Sequence, residues 1–355
     1  MLKKTIRRLG ALAMVLAMAV SVFAVNASAE GSTEEVVPAT NATVSFTKTI
    51  DVTAAEGANT PAGTYKFTIA PGSAVSATDT TPEIKAGVAG ATIDDVVFRY
   101  GDATSKTVNV NFDHVSFPTA GIYRYIITEV SSSNIDVVID ENATRYLDVY
   151  VVNNGSSREI KWSILTSTLK NPTKNSDGQW DYGTANKSDG FTNKYTTYTL
   201  NLKKMIAGEM ANMTETFKFT IHFNGTAGAS FMYGNDTITL DENGSATLTI
   251  PALGHEGTAV IKGIPSTVKY TITETVKENE GYTTTYTQTD VTGKQDGVTT
   301  TEKVMGKKDN SVEFTNTKDA STPTGVIMTI APYALMVVLA GAFAVVFLTR
   351  RNRAE

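Results

Sequence analysis

Three short patterns occur twice in this chain of 355 residues, each time in the same order. Lys66-Phe67-Thr68-Ile69 returns as Lys218-Phe219-Thr220-Ile221, and Tyr125-Ile126-Ile127-Thr128-Glu129 as Tyr270-Thr271-Ile272-Thr273-Glu274. Phe191-Thr192-Asn193 returns as Phe314-Thr315-Asn316. A repeat of this kind sets the number of folding units before any local reading is made. Residues 43–195 and 196–318 are therefore expected to fold as tandem domains of one architecture. Within them Thr, Val, Ile, Tyr and Phe recur in short alternating runs broken by Gly, Asn, Asp and Ser, and no long stretch carries a helical period. The expected fold class is all-β.

Alternation also assigns faces, since residues two apart on a strand point the same way. Val44, Phe46, Lys48 and Ile50 share one face, so a lysine stands in an apolar row. The second domain repeats this with Leu200, Leu202, Lys204 and Ile206, while Lys203 points the other way. Glu129 shares a face with Tyr123, Tyr125 and Ile127, and Glu274 with Val268, Tyr270 and Ile272. Asn193 falls beside Phe191 and Tyr195, and Asn316 beside Val312 and Phe314. Each domain thus turns one Lys, one Glu and one Asn toward its core, where an isolated charge is costly. A buried Lys–Glu ion pair with a hydrogen-bonded Asn would account for this with little net stabilisation. A register error of one residue would instead place all three in solvent. The same three residue types in the same order in both domains favour a chemical role.

Other chemistries find little support. With no cysteine in the chain, disulfides and thiolate metal sites are excluded, so any staple must be of another kind. His114, His222 and His255 are dispersed without ligand spacing, and no metal or cofactor is expected. A secreted hydrolase would need paired carboxylates or a Ser–His–Asp arrangement, for which the sequence gives no signal. The net charge of −5 understates the acidity of the middle of the chain, because Lys3, Lys4, Arg7, Arg8, Arg350, Arg351 and Arg353 lie at the ends. Nucleic acid is an unsuitable partner for such a surface.

The two ends read as addresses. Residues 1–29 combine a basic start, a short apolar stretch and Ala27-Ser28-Ala29, the pattern of a cleaved signal peptide; residues 30–42 form an N-terminal extension. Residues 326–349 are about 24 uncharged, mainly apolar residues, enough for a transmembrane helix. The basic residues after them in 350–355 keep that side cytoplasmic and place the body of the protein outside the cell. Ser321-Thr322-Pro323-Thr324-Gly325 resembles the LPXTG-like cell-wall sorting signal of Gram-positive surface proteins, in a variant ending Pro-Thr-Gly. Motif, span and tail stand in the required order within 319–355. The resemblance implies cleavage by a sortase between Thr324 and Gly325, with Thr324 retained as the acyl group and later joined to an amine.

Gly121-Ile122-Tyr123-Arg124-Tyr125 leading to Glu129, and Leu147-Asp148-Val149-Tyr150-Val151-Val152-Asn153, extend the likeness. With the sorting signal and the doubled Lys, Glu, Asn pattern, the chain resembles a Gram-positive backbone pilin of the streptococcal T-antigen type. That resemblance implies two tandem Ig-like β-sandwich domains, each closed by an isopeptide bond: Lys48 to Asn193 assisted by Glu129, and Lys204 to Asn316 assisted by Glu274. In each, a protonated Glu would donate to the Asn side-chain oxygen, and the domain would react once, without enzymatic turnover. The resemblance further implies a cell-surface pilus of identical subunits, with sortase, peptidoglycan and minor or tip pilins as partners. The pilin motif Tyr-Pro-Lys-Asn is absent. In the resembling subfamily the acceptor lysine lies shortly before the bonded Asn, which points to Lys187, with Lys174 and Lys170 behind it. A monomeric cell-wall-anchored adhesin built from the same domains is the alternative.

Overall fold

The computed structural model describes residues 42–275, 281–320, 333 and 335–346. It divides into two compact units, one running to Thr196 apart from Ala55–Ala58, the other taking those four residues and the chain from Thr197 onward. Both are built of strands, as the alternating pattern requires, and each is a two-sheet sandwich.

In the first unit the opening strand Thr43–Asp51 lies at the centre of a five-stranded sheet. It pairs antiparallel with Ser105–Asn111 and parallel with the closing strand Gly190–Tyr195. The facing sheet carries the glutamate strand Gly121–Ser132 between Gly63–Pro71 and Thr144–Asn154. Alternate inward side chains of the two sheets interdigitate in the layer between them. Phe46 and Phe191 from one sheet meet Phe67 from the other at centroid separations of 5.4 and 5.3 Å.

The second unit repeats the plan. Its opening strand Tyr198–Ala207 pairs parallel with the closing strand Asn310–Thr317 inside a seven-stranded sheet. The glutamate strand Lys269–Thr275 belongs to the facing four-stranded sheet, beside Phe217–Asn224. The sequence repeats become neighbours here: Phe67 pairs with Glu129 and Phe219 with Glu274. The two most similar segments of each half are thus adjacent strands that bring a carboxylate beside an aromatic residue.

Between Thr166 and Gly190 the chain leaves the sandwich as a short ribbon, Thr173–Lys174 paired with Trp180–Asp181, followed by one 3-10 turn at Thr184–Asn186. The expected signal peptide 1–29, nearly all of the extension 30–42, the motif 321–325 and the tail 350–355 lie outside the described residues. Of the expected span 326–349, residues 333 and 335–346 are helical. Among the described residues no helix is long and apolar enough to cross a membrane.

Candidate functional site: two buried lysine, glutamate and asparagine clusters

Parallel pairing of the first and last strands determines where each cluster can form. Lys48 lies opposite Phe191 and Ile50 opposite Asn193; Lys204 lies opposite Phe314 and Ile206 opposite Asn316. In both units the asparagine is one same-face step beyond the lysine, a diagonal that a long side chain can span. The glutamate reaches the same point from the facing sheet. All six side chains are buried: Lys48, Asn193 and Lys204 are 0 % exposed, and Glu129, Glu274 and Asn316 are 2 % exposed.

In the first unit Lys48 Nζ lies 3.0 Å from both Glu129 oxygens. Asn193 Nδ2 donates to Glu129 Oε1 at 2.7 Å. In the second, Lys204 Nζ is 3.1 Å from Glu274 Oε2 and 3.4 Å from Oε1, and Asn316 Nδ2 donates to Oε1. The structure therefore joins the sequence-derived residues in two threes, each meeting at one carboxylate. One detail departs from expectation: the amide nitrogen, not its oxygen, faces the glutamate in both units.

The surroundings are aromatic, with Tyr65 beneath Lys48 Nζ at 5.2 Å and Phe217 beneath Lys204 Nζ at 4.3 Å. Burial in such a setting disfavours charge. Desolvation pulls both lysines down to about 8, against the opposing pull of Glu129 or Glu274. It also raises the Glu274 carboxyl above the usual carboxylate range.

The asparagine oxygens differ. Asn193 Oδ1 accepts from the main-chain N–H of Asp140 at 2.9 Å, whereas Asn316 Oδ1 is buried without a hydrogen-bond partner among the described residues. Asp140 escapes a face rule because it lies in a connection between strands. Arg145 does not: it stands on strand Thr144–Asn154 in the inward row of Leu147, Val149 and Val151, and is buried with them.

Lys187, at the end of the 3-10 turn, is exposed, with Nζ 3.7 Å from Asp181 Oδ1. Lys174 is exposed beside the Trp180 ring, and the Lys170 carbonyl accepts from Arg124 Nη2 at 2.9 Å. That arginine anchors the ribbon: it forms two 2.7 Å bonds to Asp148, which also accepts from Tyr182 at 2.7 Å. Thr324 and Gly325 are outside the described residues.

Residues 44–196 match the family described as Spy0128-like isopeptide containing domain, and residues 198–318 match a domain family of unknown function, DUF7601. A curated pilin of Streptococcus pyogenes serotype M1 is 24 % identical over 268 residues, covering 71 % of this chain and 74 % of that protein. The Streptococcus pyogenes pilus tip adhesin Cpa is 31 % identical over 137 residues, 36 % of this chain and 18 % of that protein. Among solved structures, the major pilin from Streptococcus pyogenes aligns with a TM-score of 0.59 at 21 % identity, over 79 % of this chain and 99 % of that one. The T3.2 major pilin from serotype GAS13637 aligns with a TM-score of 0.57 at 22 % identity, over 78 % and 98 %. With its first unit matched to an isopeptide-containing domain and its sandwich fold shared with major pilins, the chain resembles the streptococcal backbone pilins.

Proposed function

We propose that this protein is a structural shaft subunit of a sortase-assembled covalent pilus, and that each domain closes itself with a Lys–Asn isopeptide bond. The observation that carries the reading is the doubled cluster: a buried amine and a buried amide meeting one buried carboxylate at the same register offset. A structural ion pair needs no asparagine amide at the same carboxylate, and needs none of this twice.

The chemistry uses only these groups. With its pKa near 8, about a tenth of Lys48 is the neutral amine at pH 7, against less than about one part in a thousand for an ordinary lysine. Glu129 accepts the proton from the lysine, and the neutral Nζ attacks Asn193 Cγ. Facing Nδ2, the protonated Glu129 then gives that proton to the departing nitrogen and takes a second proton from Nζ. The C–N bond breaks, ammonia leaves, one N–H remains on the new amide, and the last proton stays on Glu129 or leaves with the ammonia. Lys204, Glu274 and Asn316 do the same in the second unit. Each domain reacts once.

Joining opening strand to closing strand ties the two strands through which tension enters and leaves a domain. Lys187 suits the acceptor role because it is exposed, unlike Lys48 and Lys204, and lies on a ribbon that Arg124 and Asp148 hold in place. Thr324 supplies the acyl group, with later transfer to peptidoglycan. The likeness to a tip adhesin over part of the chain favours the anchored adhesin as second reading. Two measurements decide. Intact mass of the region 30–324 should fall short of the sequence mass by two ammonia molecules, and Glu129→Ala or Glu274→Ala should each restore one; a full sequence mass refutes the bonds. In a host with its pilus sortase, a boiled wall extract should give a ladder that Lys187→Ala abolishes. A single monomer band from the parent refutes the shaft and leaves the adhesin.

A further inference from the structure

The acylation step places negative charge on the asparagine oxygen, and among the described residues only one of the two oxygens has a donor waiting. We propose that the main-chain N–H of Asp140 is the oxyanion donor for closure of the first domain, and that the second domain, with no such donor among the described residues, closes more slowly. The inference rests on the amide-forming reading above.

The donor is held firmly. The Asp140 carboxylate accepts from the Thr192 N–H at 2.9 Å, from Arg145 Nη2 at 2.8 Å and from the Asn142 N–H at 3.0 Å. Arg145, buried, donates through Nε to the Gly190 carbonyl at 2.9 Å, and its guanidinium lies 4.6 Å from the Phe191 ring centroid. Loop and closing strand are thus tied at Gly190 and Thr192, on the approach to Asn193. A donor fixed in advance needs no reorganisation when charge develops. The same bond orients the amide. With Oδ1 on Asp140, Nδ2 must face Glu129, where the leaving nitrogen collects its proton. When Lys48 Nζ adds to Cγ, the C=O electron pair moves to Oδ1 under the Asp140 N–H; it returns as the C–Nδ2 bond breaks and ammonia departs.

In the second domain Asn316 Oδ1 is buried and unpartnered among the described residues. There the developing charge meets no preset donor among the described residues.

The test replaces a single donor atom. Full-length chain is translated cell-free with the α-hydroxy analogue of aspartate at position 140, turning that N–H into an ester oxygen. Samples are quenched over time, and peptide mass spectra score the Lys48–Asn193 and Lys204–Asn316 cross-links separately. In the parent the first cross-link should form ahead of the second. The position-140 ester should slow the first by about a hundredfold, in the range for loss of one oxyanion donor, and leave the second unchanged. An ester at position 141 disturbs the same loop but spares both the donor and the bonds that hold it, and should close the first site at nearly the parental rate. The inference is overturned if the 140 ester closes at the parental rate, if the 141 ester slows closure equally, or if the parent closes its second site as fast as its first. The parental order needs no variant to fold. A parent that forms neither cross-link overturns the isopeptide reading itself.

Discussion

Substituting Lys48→Met together with Glu129→Gln removes both charges of the first cluster while keeping chain length and volume. No amide can then form, and no unpaired charge is left in the core, so the loss isolates the cross-link. The bond would close a loop of about 145 residues, for which loss of unfolded-chain entropy predicts about 5 kcal/mol at 25 °C. Replacing a buried ion pair by neutral residues of similar volume is often close to neutral in itself. For a folding unit of this size, 1 kcal/mol corresponds to about 3 °C, so the first unit should melt about 15 °C lower. The corresponding pair Lys204→Met with Glu274→Gln opens a loop of about 112 residues, which changes the expectation by only a few tenths of a kcal/mol. Differential scanning calorimetry, with intact mass confirming that one ammonia is regained, measures both. A transition lowered by less than about 5 °C, in a chain proven to lack the bond, would refute the staple argument and assign resistance to the core alone.

Gly190 lies at φ +149°, and a Cβ there would sit 1.8 Å from the Thr47 carbonyl oxygen. Gly190→Ala should push the closing strand off the opening strand one residue from Lys48, lowering the cross-linked fraction of the first domain and sparing the second in peptide mass spectra. In Asn316→Ala the Lys204 amine persists, near 8 in the fold and about 10.4 when unfolded. Between those values only the unfolded chain holds the proton, so stability should rise with pH across that window, while below it the penalty is constant. The urea midpoint of the closed parent lacks that rise, and a flat or falling variant curve counts against the buried amine. Arg124→Met leaves Asp148 buried without its cation. It should cost about 3–5 kcal/mol and loosen the Lys187 ribbon, read as faster amide exchange there; unchanged exchange would remove its anchoring role.

The face rule made the six cluster residues legible because each sits on a regular strand whose neighbours are plainly apolar. Phe46, Lys48 and Ile50 alternate inward as the pattern demands, and nothing but the sequence was needed. Arg124 shows where that rule stops. By alternation it points away from the core, between Tyr123 and Tyr125, yet it is buried at 2 % exposure. The covering comes from the ribbon after Thr166, whose Asn171 and Tyr182 complete its surroundings, and a period of two cannot register a segment that folds over the outside of a sheet. The orientation of the Asn193 amide was hidden for the same reason, since a loop N–H from Asp140 decides it. Tandem organisation was legible from the repeats alone.

Parallel pairing of first and last strands has a topological consequence. With Lys48 joined to Asn193 and Lys204 to Asn316 as proposed, the polypeptide would no longer be a line but a branched graph with two rings, and no change of conformation would restore the line. A machine that draws one extended strand through a narrow pore can advance only to the first branch point, where two strands must enter together. Passage through any such channel would have to precede the proposed closure, and afterwards degradation from an end would be halted at the ring. The order of events in the life of the molecule would thereby follow from which strands lie side by side.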